Sequence, residues 1–314
     1  MIQRRALGAA FLAIVVVATG GCGSSNSKSS SSSTQAPSGQ PGKGKPAVTI
    51  GDKNFPEELT LGQLYKQALE AKGFKVGIKE NIGSTELIDK ALTSGKIDLY
   101  PEYTGIGLTA VAHDNATPSS AQDAYGKFKA FQEKRGFTLT NMTPFVDTNT
   151  IVVKPDYAAG HQLKTVADFK NLRAGSVALA GPPEFATRAE GLPGLKKAYG
   201  VTFKFKPLAI GLQYKALDDG DVQTATVFTT DGQLQGNKYT ELTDPKNVFG
   251  FQNVAPVVSK KVLSAEGPAF AQTLNAVSAL LSTEAMRRMN AAVVLDKQDP
   301  AAVASAFLKA NNLK

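Results

Sequence analysis

Residues 97–107, IDLYPEYTGIG, gather side chains suited to holding a ligand. Ile97 and Leu99 flank Asp98 as in a buried strand. Tyr100, Glu102, Tyr103 and Thr104 then crowd into five positions ahead of Gly105. Aromatic faces attract cations, a carboxylate accepts donors, and a hydroxyl does both. Side chains alternate along a strand, so Tyr100 and Tyr103 point to opposite faces. Tyr100 is expected to pack and Tyr103 to meet a ligand, with Glu102 open between the ligand side and an outside partner.

Other chemistry is sparse. The chain has one cysteine, Cys22, and two distant histidines, His113 and His161. That leaves no disulfide and no structural zinc site, and it argues against a histidine relay. No nucleophile elbow, metal-ligand spacing or phosphate loop is visible, and no cofactor is called for. The net charge of +8 is concentrated at one end. Arg4, Arg5, Lys28, Lys43 and Lys45 stand in an acid-free N-terminal stretch, leaving 30 basic against 27 acidic residues beyond it. That near-balance gives no nucleic-acid footprint.

The elements that position these residues follow from periodicity. AVTIGDKNF reads as a short β-branched strand ending in Gly and polar residues, and PEELTLGQLYKQALEAKG as a helix. Pro56 suits its first turn, Glu57 and Glu58 suit its dipole, and Gly73 stops it. FKVGIKENIG is the next strand. STELIDKALTSG is a helix with Ser84 or Thr85 as cap, and KIDLYPEY is a third strand. This β-α-β-α-β order implies a parallel sheet with helices on its faces. Ligands of such sheets bind at the carboxyl ends of the strands. There the chain places Asp52-Lys53-Asn54-Phe55, Gly83-Ser84-Thr85-Glu86 and Tyr100–Thr104. Lys53 is otherwise an ordinary charge on an exposed loop, and Arg188 could equally pair with Glu184 or Glu190. A second α/β rhythm follows from FTLTNMTPFVDTNTIVV to VFTTDG, with Asp231 expected as a helix cap and Tyr214 as packing. Helical segments close the chain.

The N-terminus reads as an export signal over residues 1–21, a basic MIQRR head and an apolar run too short for a comfortable membrane span. Cys22 directly after it resembles a lipidation site, although Thr19-Gly20-Gly21 lacks the usual aliphatic residue three positions before the cysteine. A signal peptide cleaved nearby and an uncleaved anchor are the alternatives. Residues 22–46, rich in Ser, Gly and Pro, read as a disordered tether.

The blocks GDKNFPEELTLGQLYKQALEAKG, GSTELIDKALTSGKIDLYPEYTG, PPEFATRAEGLPGLKKAYG and VFTTDG resemble the substrate-binding proteins of osmoprotectant (glycine betaine, carnitine, choline) ABC importers. The resemblance covers the folded part in order. It implies an α/β fold of two lobes joined by two crossover strands, the type II periplasmic-binding-protein clamp, with ligand in the cleft. Lobe one is expected over 47–147 plus 255–314 and lobe two over 148–254. It also implies a permease and its ATPase as partners, a monomer, and a lipid-anchored place on the outer face of the cell membrane. Enzyme activity on a similar fold, or a sensor using the same clamp, are the competing readings.

The family holds a quaternary ammonium in a tyrosine cage, by cation–π contacts of about 0.5–2 kcal/mol each. Carried over by position, Tyr103 keeps one tyrosine, and Thr104 and Asp147 are retained. Phe228 before Thr229 stands for a second tyrosine. Asn149 and Gln252 occupy the remaining two cage positions, and Ile106 replaces a threonine. Lys53, Asn54 and Arg188 remain to hold an anionic group. Amides donate and accept, so the site is expected to take a small polar or zwitterionic solute and to bind glycine betaine weakly or not at all.

Overall fold

Two five-stranded sheets organise the chain, each with four strands running one way and one strand running against them. The computed structural model describes residues 39–314 apart from Asn115 and Asn237. The expected export signal, Cys22 and most of the tether lie outside the described residues.

In chain order the strands are β1 (Ala47–Gly51), β2 (Lys75–Lys79), β3 (Leu99–Tyr103), β4 (Phe137–Leu139) and β5 (Asn149–Val153). They continue with β6 (Ala178–Gly181), β7 (Lys204–Pro207), β8 (Thr224–Phe228), β9 (Thr240–Leu242) and β10 (Val254–Ser259). The first sheet has the order β2-β1-β3-β10-β4 and the second β7-β6-β8-β5-β9. In each, the fourth strand is the one that has just arrived from the other half of the chain, and it runs antiparallel to its parallel neighbour. The halves therefore share a topology that no sequence repeat reveals. The chain passes between sheets through 140–148 and returns through 243–253, and the two passages meet at a Val146–Asn253 bridge.

The helix Pro56–Ala71 shows how the first half is held. Leu61, Leu64, Tyr65, Ala68 and Leu69 are buried and share a core with Phe270, Leu274, Val277 and Leu308 from the C-terminal helices. Gly73 ends the helix region with a φ of +83°, a conformation that disfavours any side chain. Ser84 is the N-cap of Thr85–Thr93, yet its hydroxyl turns to Glu86 instead of capping the helix backbone. The packed chain also begins earlier than the tether reading expects. Gly42 N–H donates to Lys72 O, and a Cβ at Gly42 would lie 2.5 Å from the Phe74 Cα, so this stretch is folded against the helix end. Among the described residues, no helix is long and apolar enough to cross a membrane.

Candidate functional site

The strand ends of the first sheet and a wall of the second half enclose a cleft of about 400 Å³. Lys53, Asn54 and Phe55 after β1, Gly83–Thr85 after β2, and Tyr103 and Ile106 at the end of β3 make one wall. Glu184, Arg188, Glu190, Ile210 and Phe228 make the other, and Asp147 and Gln252 from the passages between sheets form its floor together with Asn149 at the start of β5. Parallel strands end on one edge, so three loops that are distant in sequence converge there.

Eight of the ten residues singled out from the sequence thus face one cleft: Lys53, Asn54, Tyr103, Asp147, Asn149, Arg188, Phe228 and Gln252. Thr104 and Thr229 do not line it. The Thr104 hydroxyl donates to Phe251 O at 3.2 Å. The Thr229 hydroxyl donates to Val146 O at 2.9 Å and accepts from Thr148 N–H at 3.1 Å. Each threonine staples a β-strand end to one of the inter-sheet passages and spends its one hydroxyl donor there. Gly105 serves the same joint: a Cβ there would lie 2.7 Å from Phe251 O. The glycine that closes the YTG motif is thus explained by a backbone approach.

The tyrosines divide as alternation requires. Tyr100 is fully buried in the core with Phe128 and Leu139. Tyr103 borders the cleft, stacks on Phe55 and donates its hydroxyl to Glu57 Oε1 at 2.8 Å.

Lys53 departs from the expectation of an exposed loop. It is only 3% exposed. Its ammonium lies 2.5 Å from Glu102 Oε1, 3.8 Å from Glu58 Oε1 and 4.5 Å from the centroid of the Tyr103 ring. Glu102 therefore faces neither solvent nor an outside partner; it is the buried counter-charge of Lys53. Burial raises Glu102, pushes Glu58 up to about 8, and pushes Asp52 up to about 7. Glu57 and Glu58 stand in the first turn of the helix as expected, and are also part of a buried polar layer beneath the cleft.

The floor carries two amides. Gln252 Oε1 accepts from Ile106 N–H at 2.9 Å, which leaves its Nε2 as the group free to donate. Asn149 Oδ1 takes the Thr226 hydroxyl at 3.1 Å. Asp147 accepts from the Thr230 hydroxyl at 2.8 Å, and burial together with the Glu57 charge raises it well above the carboxylate range. Arg188 makes no ion pair within 4 Å with either Glu184 or Glu190 among the described residues, so its guanidinium is available to the cleft.

Sequence reasoning missed Glu57, Asn290 and Ile210 as neighbours of this region. Asn290 reaches Glu57 from a helix 233 positions away, and nothing in the local pattern of either segment signals that meeting.

Known proteins place this architecture. The chain is 33% identical over 275 residues to the glycine betaine-binding protein YehZ of Escherichia coli, covering 83% of this chain and 90% of that protein. It is also 33% identical over 277 residues to a glycine-betaine-binding protein of Pseudomonas aeruginosa, covering 85% and 88%. A crystal structure described as a glycine betaine/carnitine/choline ABC transporter superposes with a TM-score of 0.74 at 26% identity, covering 85% of this chain and 99% of that one. The fold is the two-lobe clamp of periplasmic binding proteins. A family profile described as the substrate binding domain of ABC-type glycine betaine transport systems spans residues 46–310, and this chain belongs to that family of extracytoplasmic solute-binding transport proteins.

Proposed function

We propose that this protein delivers a small polar or zwitterionic solute to an ABC permease and its ATPase, and that glycine betaine is a poor ligand for it. The observation that carries the ligand reading is the state of the cage. A methylated ammonium needs open aromatic faces, because it has no N–H to donate. Tyr103 presents its ring to the Lys53 ammonium, Phe228 remains, and Asn149 and Gln252 stand where two further rings would be needed. The same cleft suits a ligand with acceptors, through the Gln252 Nε2, Asn54 and the unpaired Arg188. Lys53, Asn54, Tyr103, Asp147, Asn149, Arg188, Phe228 and Gln252 are assigned to ligand contact; Thr104 and Thr229 are assigned to the hinge.

Lobe one is assigned to the first sheet with the C-terminal helices, and lobe two to the second sheet, with closure about the 140–148 and 243–253 passages. The chain acts as a monomeric receptor without chemistry of its own, held at the outer membrane face through lipidated Cys22.

The test is a thermal-shift screen of residues 39–314 with glycine betaine, choline, carnitine, amino acids and small polar metabolites. A ligand that binds only the folded state raises Tm. Shifts from hydrogen-bonding solutes with none from betaine are expected; a strong betaine shift defeats the polar-site reading.

A further inference from the structure

The edge of the first sheet that lies opposite the cleft is basic. Every strand of that sheet brings a lysine to it. Lys75 opens β2, Lys45 precedes β1, Lys96 precedes β3, Lys260 follows β10 and Lys134 precedes β4. Lys45 is half-buried and donates from Nζ to Ala265 O at 2.8 Å; the other four are exposed. Lys43 and Lys72 add two more exposed charges where Gly42 N–H donates to Lys72 O. None of these seven lysines has a carboxylate within 4 Å among the described residues.

The acids of the same edge are Asp98, Glu133 and Glu266. Asp98 accepts from Thr49 N–H at 2.8 Å, Glu133 accepts from the Thr138 hydroxyl at 3.1 Å, and Glu266 is buried. Glu70 and Asp89 nearby are taken by Lys66 and Arg135. The basic charge is directed. In the turns after β1, β2 and β3, at the cleft end, the exposed charges are Glu80 and Glu86, and Lys53 is buried. At the corresponding edge of the second sheet, Asp218, Asp219 and Asp221 precede β8 and pair with Lys238, Lys215 and Lys206.

A second, independent observation is where the chain enters. Residues 1–38 join the described structure at Gly39, and Gln40 packs beside Gly73, where a built Cβ would lie 2.7 Å from the Gln40 Cβ. That is the basic edge. The apolar run and Cys22 belong to the stretch that joins there.

We infer that this edge rests on anionic phospholipid, its lysines meeting headgroup phosphates, so that the cleft at the other end of the strands faces away from the membrane toward incoming solute. The inference rests on the proposed attachment to the outer membrane face and names the orientation and the lipid class. An array of lysines is drawn to a negative surface within a Debye length, about 8–10 Å. Lysine stems hold their ammonium groups out in water, where phosphate oxygens can accept from them. The exposed large apolar side chains Leu87, Ile210, Leu212, Leu280 and Leu295 all lie outside these turns. The contact is therefore electrostatic and reversible, and the receptor can leave it to present its cleft to a permease.

The experiment is vesicle co-sedimentation of residues 39–314, a compact unit that holds both sheets and their cores. The vesicles are phosphatidylcholine alone or with phosphatidylglycerol. Binding is expected to be about tenfold or more stronger with phosphatidylglycerol and to disappear at high salt. Lys43→Glu with Lys75→Glu and Lys96→Glu is expected to weaken it about tenfold or more. Lys170→Glu with Lys197→Glu and Lys204→Glu, exposed lysines of the second half, changes net charge equally and is expected to weaken it far less. A further measurement leaves every lysine in place. Residues 39–314 hold no cysteine, so a dye can be attached at Ser264→Cys beside the basic edge or at Leu87→Cys near the cleft. Energy transfer to a headgroup acceptor is expected to be stronger from 264. Equal binding to both vesicle types, equal loss in the two triple variants, or stronger transfer from 87 overturns the inference. Binding to soluble polyphosphate without binding to vesicles overturns it in favour of a polyanion. Fatty-acid labelling of the full chain, expected to vanish in Cys22→Ser, tests the attachment separately. Labelling without vesicle binding ends this inference and leaves the attachment standing; vesicle binding without labelling does the reverse.

Discussion

The Lys53 ammonium stands 4.5 Å above the centre of the Tyr103 ring while touching Glu102 Oε1 at 2.5 Å. The chain thus supplies its own cation to one face of that ring, and anchors the cation with a buried carboxylate. Lys53→Met leaves Glu102 and Glu58 buried without a counter-charge. Removing one partner of a buried pair costs about 3–5 kcal/mol. Tm at pH 8 is expected to drop sharply, to recover partly at pH 5 where the carboxyls are protonated, and to be largely restored by Lys53→Met with Glu102→Gln. An unchanged Tm at pH 8 would show that the pair contributes no stability.

Asn149 sits on the cleft floor, paired with Phe228 across β5 and β8. Asn149→Tyr restores one aromatic face at the cost of the Thr226 bond. Glycine betaine affinity is expected to rise by about 0.5–2 kcal/mol, roughly two- to thirtyfold, in a calorimetric titration. No gain would place the residue-149 side chain outside the ligand's reach.

Stability should fall as pH rises. Glu58 at about 8 and Asp52 at about 7 are raised above their unfolded values of 4.5 and 3.8, burial being the first cause in both. Their raised values mean the folded state holds protons that the unfolded chain has already lost. The stability is fully present below the unfolded values and is lost as pH climbs through about 4 to 8. Exposed acids with lowered values, such as Asp123, act in the opposite sense and below that window. Urea unfolding should show a loss of several kcal/mol between pH 5 and pH 9, and Glu58→Gln should remove the larger share of it and leave the part due to Asp52. A wild-type profile that rises over this range contradicts the burial argument.

Two glycines test packing with opposite signs. A Cβ at Gly232 would lie 2.4 Å from the Ala291 Cα and 2.5 Å from its nitrogen, backbone that a rotamer change cannot move. Gly232→Ala is expected to cost about 1–3 kcal/mol, because it forces the segment after β8 off the helix Thr283–Val294. Gly126 lies in the helix Ala121–Lys134 with nothing within 4 Å of a built Cβ. Gly126→Ala should raise stability by about 0.5–1 kcal/mol. Guanidinium melts of both variants check the pair; equal effects would remove the steric explanation.

The path from pattern to fold was short where neighbours in sequence make the structure. The alternation in KIDLYPEY predicts opposite faces for Tyr100 and Tyr103, and the structure puts one in the core and the other at the cleft. The β-α-β-α-β order brings three strand-end loops together, so residue order alone groups Lys53, Asn54 and Tyr103. The family resemblance added Asp147, Asn149, Arg188, Phe228 and Gln252, which all line the same cleft.

Tertiary contacts decided what each of those side chains has left to offer. Thr104 and Thr229 look like ligand hydroxyls in YTG and FTTD, yet neither lines the cleft and each donates its proton to a passage between sheets. Lys53 looks like a surface charge, yet Glu102, distant by 49 positions, draws it into the interior. The smaller cavity bordered by Phe55 and Phe228 joins Glu57, Asp147, Asp231 and Asn290 from four separate stretches. Periodicity and turn chemistry are local, so residue order alone specifies strands, helices and their ends. Hydrogen-bond capacity and charge are shared among whichever groups the packed chain brings within 3–4 Å, and that sharing is settled only when distant segments meet.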